Sequence, residues 1–380
     1  MRLKNLTPFY VMQILKDASK YGDAIHFEVG QPDLPPSPKV LEAAKETIEK
    51  GYFGYTPAEG LEELRTKIAW HYKHRYGLAI DPKRIVVTPG SSGAFTLAYA
   101  LTTDIGQKLA IADPGYPSYK NFAYMLGIDP LFIPVEADTN YCITPEHLRG
   151  RKIDTLQISS PANPTGSIYS KELLQELAKY CSKHGITLVC DELYSGLVYE
   201  SEFVSTLQIS EEAIVIDGFS KFFCMPGFRL GWVVLPPHLV QKARELAQNI
   251  FLAPPTISQY AALEAFDYDY LEHVRQTFQK RRDLLYELLS PLFDLGAKPQ
   301  GAFYIWADVR RYGKSTELAK IFLEKTHVAV TPGIDFSQRL GEDFLRFAYT
   351  IDKEKMREGV ARIASLLGQI GSEDVDSRIV

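Results

Sequence analysis

Residues 155–194 read TLQISSPANPTGSIYSKELLQELAKYCSKHGITLVCDELY. An apolar run, Thr155 to Ser159, ends in a turn made rigid by Pro161, Pro164 and Gly166. Ser170 can cap a helix whose Leu173, Leu174, Leu177, Ala178 and Cys181 share one face, and Gly185 stops it. A second apolar, β-branched run, Ile186 to Cys190, follows at once. Strand, helix and strand in this order predict an α/β fold with a largely parallel sheet covered by helices.

The alternation extends in both directions. Arg84 to Thr88, Lys108 to Ala112, Ile214 to Asp217 and Leu230 to Leu235 read as further strands, and a helix is expected from Leu61 to Tyr76 ahead of Gly77. Beyond about residue 270 the texture changes. A long charged helix, Tyr270 to Leu289, leads to Pro291, and Ala302 to Asp308, Val328 to Thr331 and Phe344 to Tyr349 then read as strands between helical stretches. Residues 31–270 are therefore expected to form a large ligand-binding domain. Residues 271–380, together with an N-terminal arm of residues 1–30, are expected to form a small α+β domain. The final GSEDVDSRIV is polar and reads as a frayed end.

Composition narrows the class. With 380 residues, 46% of them hydrophobic and 23% charged, the chain can bury a substantial core, which excludes disordered and fibrous architectures. Its 42 basic and 47 acidic residues give a net charge of −5, without the basic excess that a nucleic-acid partner requires. No apolar run reaches membrane-spanning length, and Pro8, Gln13 and Lys16 interrupt the N-terminus before a secretory core can form. Cys142, Cys181, Cys190 and Cys224 contain no C-x-x-C pair and read as small buried hydrophobes in a reducing, cytoplasmic setting. His71 and His74, beside Lys73 and Arg75, read as a wet helix face, and no metal is expected. Lys280-Arg281-Arg282 likewise reads as a solvated face.

In an open α/β sheet, ligands bind outside the carboxyl ends of the strands. After Val86-Val87 comes Thr88-Pro89-Gly90-Ser91-Ser92-Gly93-Ala94, which is either a phosphate cradle of backbone N–H groups or a tight strand-to-helix turn. After Ile111-Ala112 comes Asp113-Pro114-Gly115-Tyr116-Pro117-Ser118-Tyr119, which sets an aromatic ring over the same edge. In the turn after Ile158, Asn163 can either donate to a ligand oxygen or cap the turn. Asp191 is a carboxylate at the buried end of a strand and calls for a cationic partner.

The sharpest segment is Gly218-Phe219-Ser220-Lys221-Phe222-Phe223-Cys224-Met225-Pro226-Gly227-Phe228-Arg229, in which Lys221 and Arg229 are the only charges among aromatics. A lysine desolvated near a second cation loses proton affinity and becomes an amine nucleophile able to form a Schiff base. The alternative is a snorkelling lysine at a domain seam. One ligand accommodates all these pieces. Pyridoxal phosphate offers an aldehyde to Lys221, a phosphate to Ser91, Ser92 and Arg229, a protonated ring nitrogen to Asp191, a flat ring to Tyr116 and a phenolic oxygen to Asn163 and Tyr194.

On these residues the chain resembles the class I/II aminotransferases of the fold-type I pyridoxal-phosphate enzymes. The likeness runs from Phe27-Glu28-Val29-Gly30-Gln31-Pro32-Asp33 to Leu345-Arg346-Phe347-Ala348-Tyr349. It implies that Lys221 holds the internal aldimine and later shuttles the proton, that Asp191 pairs with the ring nitrogen, and that Tyr194 and Asn163 contact the ring oxygen. It further implies that Tyr116 stacks on the ring, that Ser91, Ser92 and Arg229 hold the phosphate, and that Arg346 binds the substrate α-carboxylate, assisted by Asn163 and the Gly30 backbone. Tyr55 would reach the phosphate of a neighbouring subunit, so a homodimer is implied. The sequence departs from the family at Gly218, where a hydroxyl residue is common, which leaves one phosphate contact unsupplied. Cys224 also stands where a smaller residue is usual.

The expected activity is transfer of an amino group from an L-amino acid to a 2-oxo acid by a ping-pong cycle. The rival on the same scaffold is a carbon–sulfur β-lyase or a related lyase. The aromatic segments Tyr52-Phe53, Phe222-Phe223, Phe251 and Phe303-Tyr304 favour an apolar or aromatic substrate side chain.

Overall fold

The computed structural model describes residues 2–376. Its first helix, α1 (Tyr10–Ala18), precedes a two-residue strand, β1 (Ile25–His26), and two helices, α2 (Pro38–Glu49) and α3 (Glu62–Tyr76). α3 ends at Gly77 in the left-handed conformation that glycine adopts without steric cost. The chain then alternates through β2 (Ile85–Pro89), α4 (Gly90–Thr102), β3 (Lys108–Asp113), α5 (Ser118–Leu126), β4 (Asp129–Pro134) and the short α6 (Pro145–Leu148). It continues with β5 (Thr155–Ser159), α7 (Lys171–His184), β6 (Thr187–Asp191), β7 (Ile214–Gly218) and β8 (Leu230–Val234). The Ser170 hydroxyl caps α7 by accepting from the Leu173 amide, and Gly185 terminates it, as the sequence predicts.

β2 to β8 form one seven-stranded sheet in the order β2-β8-β7-β6-β5-β3-β4. β3 to β7 pair in parallel, whereas β8 runs antiparallel to both of its neighbours. Two antiparallel steps leave β2 pointing the same way as β7. The carboxyl ends of β2, β3, β5, β6 and β7 therefore share one edge with the amino end of β8. β4, DPLFIP, escapes sequence reading because its two prolines argue against a strand, and it is tolerated only as the edge strand that it is.

Both faces of the sheet are buried. Val86, Leu109, Ile111, Val189 and Ile216 pack with Phe95, Ala123 and Ala243 on one side. Val87, Leu156, Ile158, Leu188 and Trp232 pack with Ile68, Leu174 and Phe278 on the other.

After β8 come α8 (Pro237–Ile250), α9 (Thr256–Ala262) and the long α10 (Tyr268–Leu289). The remainder holds β9 (Tyr304–Asp308), α11 (Ser315–Thr326), β10 (Val328–Ala329), β11 (Thr331–Pro332), β12 (Phe344–Ala348) and α12 (Lys353–Asp376). Val328 to Thr331 is thus not one strand. β10 pairs in parallel with β1, while β11 pairs antiparallel with β12, so the chain changes sheets at Val330. The expected frayed end is helical through residue 376, and residues 377–380 lie outside the described residues. Among the described residues, no helix is long and apolar enough to cross a membrane, and no group of His, Cys, Asp or Glu is placed to hold a metal ion.

Two expectations of solvated charge are corrected. His74 is exposed, but His71 is buried, with Nδ1 2.6 Å from the Tyr268 hydroxyl and Phe223, Trp232 and Phe266 around the ring. Burial lowers its pKa to about 3, because α3 turns Leu64, Ile68 and His71 toward the core together. Lys280 is exposed, yet Arg281 and Arg282 are buried on α10. Arg281 makes a two-pronged bond to Asp33 at 2.6 and 2.8 Å, and Arg282 pairs with Glu200 and Asp283 while lying over the Tyr199 ring.

The β2–α4 turn and β8 approach so closely that a Cβ on Gly231 would lie 2.5 Å from the Ser91 nitrogen and 2.7 Å from the Gly90 carbonyl carbon. Both obstacles are backbone, so a Gly231→Ala variant must part the two segments. Urea unfolding should show a loss of about 1–3 kcal/mol with unchanged slope.

Candidate active site

A cavity of about 230 Å³ opens at this shared edge of the sheet. Its wall brings together Gly30, Ser91, Ser92, Tyr116, Asn163, Asp191, Tyr194, Lys221, Arg229 and Arg346. Of the residues expected from sequence, only Tyr55 stands elsewhere. It is 83% exposed and lines a wider groove with Phe53, Met225 and Pro226.

Lys221 follows β7, and its Nζ donates to the Gly30 carbonyl oxygen at 2.6 Å. The amine also faces the rings of Phe303 at 5.7 Å and Tyr194 at 6.0 Å. Burial lowers its pKa to about 8, Arg346 and Arg229 push the same way, and Asp191 opposes them. At pH 7 that leaves roughly one amine in ten unprotonated, far more than an ordinary lysine.

Asp191 closes β6. Its Oδ2 accepts from the Tyr119 hydroxyl at 2.5 Å and its Oδ1 from the Leu193 amide at 3.0 Å. Burial raises its pKa to about 6, and the two hydrogen bonds moderate that rise. Sequence reading asks for a cation here, but Asp191 makes no ion pair among the described residues. A buried carboxylate in this state has strong affinity for a positively charged or proton-bearing nitrogen.

At the other end of the cavity, α4 begins at Gly90 without a side-chain cap, which leaves its first amides available to an anion. Ser91 and Ser92 occupy this first turn. Gly90 has φ +70°, and a Cβ there would come within 2.5 Å of Arg229 Nη2, so the bare backbone lets the guanidinium reach the turn. Arg229 is itself in a left-handed conformation, with φ +52°, and Nη1 donates to the Pro226 carbonyl. Gly218 has little room for a side chain. A Cβ there would meet Gly231 Cα at 3.1 Å, the Leu230 carbonyl at 3.2 Å and Leu193 Cδ1 at 3.3 Å. A hydroxyl residue here would therefore require β8 to give way slightly. Cys224, with φ +54°, is buried, and its thiol is pushed up to about 12 by burial, as expected of a structural residue.

Arg346 projects from β12 and is buried. Nη1 donates to Asn163 Oδ1 at 3.1 Å and Nη2 to the Glu28 carbonyl at 2.8 Å, while Tyr304 and Phe336 hold the guanidinium at 4.3 and 4.6 Å. Nε is buried without a hydrogen-bond partner. A fixed guanidinium with an unsatisfied N–H suits a carboxylate.

Sequence reasoning missed Tyr119, which positions Asp191, although it lies one turn after Tyr116 in the same quoted run. It noted Tyr304 only as an aromatic. The Tyr304 hydroxyl is 2.8 Å from that of Tyr194, and the residue occupies the space where a Gly30 side chain would stand. Phe9, Val11, Asp335 and Phe336 also line the cavity, and no local pattern marks them.

A nucleophilic amine, a buried carboxylate without a cation and an anion-binding turn match the aldehyde, ring nitrogen and phosphate of pyridoxal phosphate. Fold and site define a fold-type I enzyme of that cofactor class. The chain matches the family of class I and II aminotransferases over residues 22–363. It is 35% identical to a valine–pyruvate aminotransferase of Mycobacterium tuberculosis, across 95% of this chain and 96% of the other. It is 32% identical to an aspartate aminotransferase of Sulfolobus acidocaldarius, across 91% and 90%. The crystal structure of an aminotransferase from Mycobacterium tuberculosis superposes with a TM-score of 0.94 at 34% identity, covering 97% of this chain and 98% of the other. The chain belongs to the class I and II aminotransferases. It is a pyridoxal-phosphate-dependent transaminase acting on amino acids and 2-oxo acids.

The lysine carries a stability signature. In the cofactor-free protein, the folded chain releases the Lys221 proton near pH 8, whereas the unfolded chain keeps it until about 10.5. Between these values the unfolded state binds more protons, so this group makes stability rise with pH. Denaturation of the cofactor-free parent and of Lys221→Met should show the parent gaining on the variant from pH 8 to 10.5. A pH-independent difference would contradict the depressed pKa.

Proposed function

We propose that the transaminase uses Lys221 as the proton-transferring amine, Arg346 as the α-carboxylate clamp and Asp191 as the partner of the cofactor's ring nitrogen. The observation that carries this reading is the convergence of all three on one cavity, with none of them paired to another. Bound pyridoxal phosphate would supply an electron sink for the pair left when Cα loses its proton.

Arg346 fixes the substrate carboxylate, and Asn163 and the Glu28 carbonyl hold the guanidinium in place. Lys221 Nζ, with its pKa near 8, takes the Cα proton and holds it for return. Tyr119 keeps the Asp191 carboxylate oriented. The Ser91 and Ser92 turn with Arg229 would hold the phosphate, Tyr116 would cover the ring, and Tyr194 and Asn163 would reach its oxygen. Amino donor and 2-oxo acceptor use the same clamp in turn, which is a ping-pong cycle.

The donor is proposed to carry an apolar or aromatic side chain. Lys221, Arg229 and Arg346 are the only cations among the described residues that line the cavity, and each already has a role; Phe9, Val11, Tyr304 and Phe336 supply apolar wall. The likeness to a relative named for valine and pyruvate agrees with this, while the relative named for aspartate marks the competing choice.

A homodimer is proposed as the working form. Ile48, Phe53 and Tyr55 expose apolar surface around the groove that abuts Pro226, beside the anion-binding turn, and a second copy would cover it and bring Tyr55 to that copy's phosphate. The division into residues 31–270 and residues 1–30 with 271–380 is proposed on the pairing of β1 with β10. A cytoplasmic location is proposed on four buried free thiols.

A donor screen with pyruvate and 2-oxoglutarate should rank leucine, methionine, valine or phenylalanine above aspartate; the reverse order would refute the apolar-donor reading. In the first half-reaction the cofactor should be converted to enzyme-bound pyridoxamine phosphate, whereas release of pyruvate and ammonia would indicate a lyase. Asp191→Asn should lower the half-reaction rate by about 10²–10³-fold, the scale of one lost electrostatic partner at the ring nitrogen.

A further inference from the structure

The turn at residues 333–337 ties three parts of the cavity wall together. The Phe336 ring lies on the Arg346 guanidinium, and its carbonyl accepts from the Gly115 amide at 2.9 Å, one residue before Tyr116. Its neighbour Asp335 reaches in another direction. Oδ1 accepts from the Tyr10 amide at 2.9 Å and Oδ2 from the Val11 amide at 3.1 Å.

Those two amides open α1, whose preceding residue, Phe9, supplies no side-chain cap. A helix start otherwise leaves such donors bare, and a carboxylate is the group best suited to them by both hydrogen bonding and the helix dipole. Here the carboxylate comes from more than 300 residues away in sequence. Burial raises the Asp335 pKa, and the Tyr10 and Val11 amides, with Arg346 and Lys120, favour its ionised form against that rise. Ahead of α1, the hydrogen bonds between Thr7 and Asn121 are exposed and longer, at 3.2 and 3.4 Å, while farther along the helix Ile14 and Ala18 pack against Leu323 and Ala329.

We infer that Asp335 is a positioning residue for substrate selection. By fixing the first turn of α1, it holds Phe9 and Val11 as the wall against which a long apolar substrate side chain packs. The inference rests on the reading of Lys221 and Arg346 as the reacting centre. It separates two effects of the same turn. Phe336 lies on Arg346 and therefore acts on every substrate, whereas the two hydrogen bonds of Asp335 go to the turn that carries Phe9 and Val11, so its main effect falls on side chains long enough to touch them.

The test is a single-turnover half-reaction on the holoenzyme, donor by donor, with parent, Asp335→Ala and Phe9→Ala. Asp335→Ala should raise the apparent Kd for leucine and phenylalanine about five- to tenfold, the scale of one lost helix cap, and that for alanine less than about twofold. Phe9→Ala should reproduce the bias without touching the carboxylate, which keeps the test intact if Asp335→Ala folds poorly. Affinity for pyridoxal phosphate should not move in either variant. An equal loss for alanine and the long donors would overturn the inference and assign Asp335 to Arg346 instead, and unchanged affinities for all donors would overturn it outright. A parent that prefers aspartate would refute the apolar-donor reading alone, because the present test compares long with short donors in the same chain.

Discussion

The site depends on keeping three buried charges from neutralising one another. An ammonium, a carboxylate and a guanidinium in one cavity would ordinarily collapse into ion pairs, since an isolated charge in a low-dielectric interior is costly. Here each is held by neutral partners. Lys221 donates to a backbone carbonyl, Asp191 accepts from a phenol and an amide, and Arg346 is held by an amide oxygen, a carbonyl and two aromatic faces. The pKa values of Lys221 and Asp191 move toward each other in consequence, to about 8 and about 6. Their capacity to bind charge is left for cofactor and substrate.

The sheet makes this separation possible. Parallel strands bring successive carboxyl ends to one edge, and the reversed β8 delivers Arg229 to that edge from the opposite direction. Glycines at 90 and 231 let the β2–α4 turn, the guanidinium and β8 approach more closely than any side chain would allow. The same close approach bears on Gly218: a Cβ there would meet the backbone of β8 at 3.1 and 3.2 Å, so a hydroxyl residue requires β8 to give way slightly.

Much of this was legible in the sequence because strand ends in such a sheet are local features. The residues after β2, β3, β5, β6 and β7 could be read one turn at a time, and ten of the eleven site residues expected from them and from the family likeness line one cavity. The reversal of β8 and the break at Val330 depend on which strand lies alongside, which no local pattern encodes. His71, Arg281 and Arg282 were misread for a related reason. Polarity marks a residue as solvated unless its cover is known, and their cover comes from Tyr268, Asp33 and Glu200, far away along the chain. Asp335 and Phe9 stayed hidden because the hydrogen bonds from Tyr10 and Val11 to Asp335, which bring Phe9 to the cavity, join residues more than 300 positions apart.

The central claim is that Lys221, rather than any other amine of the chain, is the nucleophile that holds the cofactor. Borohydride reduction of the holoenzyme, followed by peptide mass spectrometry, tests it directly. The account predicts the reduced cofactor mass on the peptide that contains Lys221 and on no other lysine. Labelling of a different lysine, or none in a protein that binds pyridoxal phosphate, would contradict it.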